Sequence, residues 1–112
     1  MRFPASLAVA LVVVASVACD NTSTNGVFTQ RDATVTMIGN SFDPVAVTVP
    51  VNGKVLWVGS GTTHNVAFGS ADAPSGCGNW SIGDCLRTFP TAGIFDYVCT
   101  LHSGMAGRVT VQ

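Results

Sequence analysis

The chain has 112 residues, room for one hydrophobic core and one domain. Hydrophobic residues make up 47% of it and charged residues only 10%. That balance excludes a disordered charged tail and leaves no polycationic surface for nucleic acid.

The first eighteen residues predict an export signal: Arg2 is a short basic start, residues 7–14 are an apolar run, and small residues continue to Ala18. The run is too short for a membrane span, which needs about 20 apolar residues. Residues 15–19, Ala-Ser-Val-Ala-Cys, resemble a bacterial lipoprotein box, in which Cys19 is lipidated and becomes the new N-terminus. Ser16 stands where such boxes more often carry Leu. Small residues at positions 16 and 18 also satisfy ordinary cleavage after Ala18, so both outcomes stay open. Either gives an exported, periplasmic or cell-surface protein whose membrane attachment rests on Cys19 alone. Residues 19–32 then serve as a polar tether to a domain over residues 33–112. Beyond the signal, Arg31, Lys54, Arg87 and Arg108 oppose Asp20, Asp32, Asp43, Asp72, Asp84 and Asp96, a net charge of −2. Charge steering over long range should be weak.

From Ala33 onward short alternating or β-branched runs recur between turn residues, and no long window keeps a helical period. Strands are predicted over residues 33–38, 45–49, 54–58, 65–68, 86–89, 94–98 and 108–111. Val45, Val47 and Val49 should share one buried face, as should Val109 and Val111, and Phe95 with Tyr97. Trp57 reads as core and Trp80 as a cover over a loop. Asn52-Gly53, residues 59–61 and Ala92-Gly93 punctuate the runs. The fold class is therefore all-β, a single-domain two-sheet β-sandwich. Residues 69–84, rich in Gly, Ser, Asp and Pro, read as a long surface loop with at most one turn of helix.

Chemistry concentrates in residues 99–105, Cys-Thr-Leu-His-Ser-Gly-Met, directly after a predicted strand. A thiolate, an imidazole and a thioether recur there every three residues, and a tight loop can turn all three toward one ion. His64, the other of the two histidines, opens the strand-like run 64–68 far upstream. Two imidazoles, one thiolate and a weak axial thioether suit copper in both oxidation states, whereas zinc sites seldom use thioether.

Residues 97–105, Tyr-Val-Cys-Thr-Leu-His-Ser-Gly-Met, resemble the ligand loop of the cupredoxins, the short-loop amicyanin and pseudoazurin type in particular. Upstream, Phe42-Asp43-Pro44, Val47, Val49, Gly53, Val55, Trp57 and His64-Asn65-Val66 follow the plastocyanin-like pattern, so the resemblance extends over residues 33–111. It implies a Greek-key cupredoxin sandwich holding one type 1 copper ion. His64, Cys99 and His102 would be the strong ligands and Met105 the weak axial one, with Asn65 bracing the loop. His102 would lie nearest the surface as the electron exit, where redox partner proteins dock. Leu101 departs from the Pro of those short loops.

Cys77 and Cys85 lie outside that pattern; in an exported chain such a pair is expected to form a disulfide. Asn79-Trp80-Ser81 matches a glycosylation sequon, which a bacterial export signal makes accidental. The expected function is electron transfer, with a copper chaperone or storage protein of the same fold as the alternative. An enzyme is disfavoured by the lack of paired carboxylates or a nucleophile–base set.

Overall fold

The computed structural model describes residues 31–112. The expected export signal and the lipidation site at Cys19 lie outside the described residues, as does most of the expected tether. Nine strands follow in chain order: β1 (Ala33–Ile38), β2 (Ser41–Asp43), β3 (Ala46–Val49), β4 (Gly53–Val58), β5 (His64–Phe68), β6 (Cys77–Trp80), β7 (Asp84–Phe89), β8 (Gly93–Val98) and β9 (Ala106–Val111). No helix occurs among the described residues.

The strands form a four-stranded sheet, β2-β1-β4-β7, and a five-stranded sheet, β3-β9-β8-β5-β6. Both are mixed, since β1 runs parallel to β4 and β3 parallel to β9 while the other pairs are antiparallel. The chain changes sheet between β2 and β3, and a cis Asp43–Pro44 peptide lies at that crossing. It crosses again on either side of β4 and of β7, so neighbours in sequence repeatedly face one another across the core.

Alternation explains which faces meet. In β4, Gly53, Val55 and Trp57 are buried while Lys54, Leu56 and Val58 are partly exposed; in β9, Gly107, Val109 and Val111 are buried. Phe95 and Tyr97 share the inner face of β8, as expected. Trp57 stands at the centre, edge-on to Tyr97 at 5.4 Å and to Phe68 at 6.0 Å between ring centroids. Phe42 meets the edge of Tyr97 at 4.8 Å. Such aromatic pairs each add about 0.5 to 1.5 kcal/mol beyond the area they bury.

Two sequence expectations are corrected. Val45 does not join Val49 in the core: it precedes β3 and is 61% exposed, because the strand begins only after the crossing at Pro44. Residues 69–84 are not wholly loop, since they contain β6. Gly78 and Asn79 are poor strand formers, but pairing with β5 and the Cys77–Cys85 disulfide hold them extended. That disulfide ties the edge of the five-stranded sheet to β7 in the other sheet, closing a short loop worth about 2 to 3 kcal/mol by chain entropy.

Candidate metal centre

The ends of β4, β6 and β8 and the starts of β5, β7 and β9 gather at one end of the sandwich. His64 is the first residue of β5 and fully buried. It follows the bend of residues 59–63, which the β6–β7 turn holds in place: Gly59 N–H donates to the Gly83 carbonyl and Gly61 N–H to that of Ser81. A side chain at Gly59 would overlap the Ser81 carbonyl, so this close approach requires glycine.

Cys99 follows β8 directly and Met105 precedes β9; both are buried, whereas His102 between them is half-buried. The loop is closed on itself. Cys99 N–H donates to the Met105 carbonyl at 2.9 Å and Met105 N–H to the His102 carbonyl at 3.3 Å, while Gly104 takes the left-handed φ of 79° that the turn demands. Asn65 fastens the loop to β5: its Oδ1 accepts from Thr100 N–H at 2.9 Å and its Nδ2 donates to Thr100 Oγ1 at 2.7 Å.

Three donor atoms converge from these elements. His64 Nδ1 and His102 Nδ1 are 3.1 Å apart, and Cys99 Sγ lies 3.9 Å from the first and 3.6 Å from the second. An ion bound equatorially by two nitrogens and a sulfur, at bond lengths near 2.0 and 2.3 Å, requires donor separations of about 3.5 to 3.7 Å. The triangle fits one such ion with adjustments of a few tenths of an ångström. Burial, with the nearby His102 charge, lowers the His64 pKa from its ordinary 6.5 against an opposing contribution from the Gly39 backbone. A neutral imidazole is the form a metal needs.

All four expected metal residues thus lie at this end, and three present donor atoms to one point. Met105 is brought to the same loop terminus with its side chain buried. Sequence reasoning named Asn65 but missed Thr100, whose polar side chain beside Cys99 was the available signal. Asn79 was also missed: its Oδ1 accepts from Asn65 Nδ2 at 2.9 Å, across a strand pairing that no local pattern reveals.

This arrangement has counterparts among known proteins. The family model for copper binding proteins of the plastocyanin/azurin family matches residues 29–112. Plastocyanin from Scenedesmus fuscus is 34% identical over 84 residues, 63% of this chain and 86% of that one. Among solved structures, amicyanin from Paracoccus versutus superposes with a TM-score of 0.64 at 29% identity, over 71% of this chain and 80% of that one. A copper-containing nitrite reductase from Thermus scotoductus SA-01 gives a TM-score of 0.62 at 25% identity, over 71% of this chain but only 22% of the reductase. The chain belongs to the plastocyanin/azurin family of copper binding proteins, the cupredoxins, and copper is its metal.

Proposed function

We propose that this protein is an exported type 1 copper electron carrier in which His64, Cys99 and His102 would hold the ion strongly and Met105 would hold it weakly. The observation that carries the reading is the convergence of two imidazole nitrogens and one cysteine sulfur, two of their residues buried and the third half-buried. Bound there, copper supplies a one-electron couple.

The chain's own residues supply the rest. β5 and β8 hold His64 and Cys99 with little freedom to move, so the site changes little between oxidation states. The Asn65–Thr100 hydrogen bonds and the closed loop hold His102 beside them. His102 is the proposed exit for electrons, and Leu101 beside it is 47% exposed. Residues 99–105 carry no Asp, Glu, Lys or Arg, so partner proteins would meet an uncharged rim there. A weak apolar contact of this kind favours fast release of the partner. Residues 1–18 act in this reading as the export signal and residues 19–32 as the tether of the 33–112 domain, with Cys19 as the candidate lipid anchor.

Voltammetry of the copper-loaded protein tests the reading: repeated reversible one-electron cycles with copper retained support an electron carrier. Ready transfer of cuprous ion to an acceptor protein, without stable cycling, would instead support a copper chaperone or storage role.

A further inference from the structure

We infer that Asn79 is a positioning residue for the metal-ligand loop, acting through Asn65; the inference rests on the metal-site reading above. β6 pairs with β5 through His64 opposite Trp80 and Val66 opposite Cys77. One residue, Asn65, therefore lies opposite two, Gly78 and Asn79, and β6 carries a bulge at that place. Bulges redirect side chains, and Asn79 Oδ1 accepts a 2.9 Å hydrogen bond from Asn65 Nδ2.

Both ends of the bulge are anchored. Cys77 is buried and joined to Cys85 of β7, and Trp80 donates its indole N–H to the Gly83 carbonyl at 3.1 Å. Gly76, just before β6, packs so closely on the Val66 carbonyl that a Cβ there would overlap it. Asn79 is thus presented from a fixed frame rather than from a free loop.

Asn65 then has three of its four side-chain hydrogen-bonding positions filled, both donors among them: one Nδ2 proton to Asn79, the other to Thr100 Oγ1, and Oδ1 to Thr100 N–H. The Asn79 acceptor fixes the plane of the Asn65 amide, and that plane fixes the backbone immediately after Cys99. The series disulfide, bulge, Asn79, Asn65, Thr100, Cys99 links the β6–β7 connection to the metal-ligand loop.

The test uses Asn79→Ala, which removes the acceptor, and Asn79→Asp, which keeps one. Hydrogen exchange at the Thr100 amide is followed in the metal-free protein, and copper loss to a chelator in the loaded protein. Removing one hydrogen bond of ordinary net strength should accelerate both by about 3- to 10-fold in Asn79→Ala. Asn79→Asp should stay within about twofold of the parent, because the bond to Asn65 survives. Unchanged Thr100 exchange in Asn79→Ala overturns the inference, as does equal acceleration at Val55 and Val109, which would signal general loosening. Faster Thr100 exchange in a protein whose parent binds no copper would support the clamp while refuting the metal-site reading.

Discussion

Replacing Gly107 with alanine should destabilise the fold strongly although only one methyl group is added. A Cβ at position 107 would stand 2.8 Å from Tyr97 Cε2 and overlap Cζ and Oη outright. Relief would require the ring or the strand to move, and neither is free. The ring is 1% exposed and held edge-on by Phe42 at 4.8 Å, Trp57 at 5.4 Å and Phe68 at 5.7 Å. Gly107 is itself paired with Tyr97 in the β8–β9 ladder, and the next inward residues of β9, Val109 and Val111, are buried. Overpacking of this kind costs about 1 to 3 kcal/mol, and a backbone-borne clash against a locked ring belongs at the upper end. With a urea slope of about 1 to 1.5 kcal/mol/M, the midpoint of the metal-free protein should fall by about 2 to 3 M. Tyr97→Leu in the same background should recover part of the loss, giving a coupling of about 1 kcal/mol or more in a double-mutant cycle. A Gly107→Ala midpoint within about 0.3 M of the parent, at an unchanged slope, would refute the packing argument.

Tyr97, the single tyrosine, is pushed by burial from 10.0 up to about 12, with Trp57 opposing the shift, so its phenolate absorbance should not develop until about pH 12. Because the folded state raises this pKa, the associated stability is present below pH 10 and is lost as pH rises toward 12; phenolate absorbance rising near pH 10 in folded protein would contradict it. Thiol labelling of exported, unfolded and unreduced protein should leave both Cys77 and Cys85 unmodified, and labelling of both would count against the bridge. Leu101→Asp should slow electron exchange with the physiological partner more than added salt does, in stopped-flow measurements on protein that retains copper. A steep fall with salt and an unchanged variant rate would locate docking on a charged surface elsewhere.

Much of the sandwich was legible because its strands obey simple alternation: Val55 and Trp57, Phe95 and Tyr97, and Val109 and Val111 all face inward. The metal loop was legible for a related reason, since Cys99, His102 and Met105 are close in sequence and their spacing survives folding. β6 was not, because Gly78 and Asn79 lack strand propensity and are held by a disulfide and a pairing whose partners lie elsewhere in the chain. β2 escaped notice through its length of three residues, too few to display a period. Val45 misled because alternation continues into the turn before β3, where no opposing sheet covers it. The Asn79–Asn65–Thr100 connection depends on three segments meeting, so only the folded structure could reveal it.

The most direct test of the copper assignment is the visible absorption spectrum of the purified, copper-loaded protein beside its Cys99→Ser and Met105→Gln variants. A thiolate bound to cupric ion should give the parent an intense charge-transfer band. Cys99→Ser should abolish the band, and Met105→Gln should keep a coloured site at lower potential. A Cys99→Ser protein as strongly coloured as the parent, or a parent with bound copper and no such band, would contradict the account.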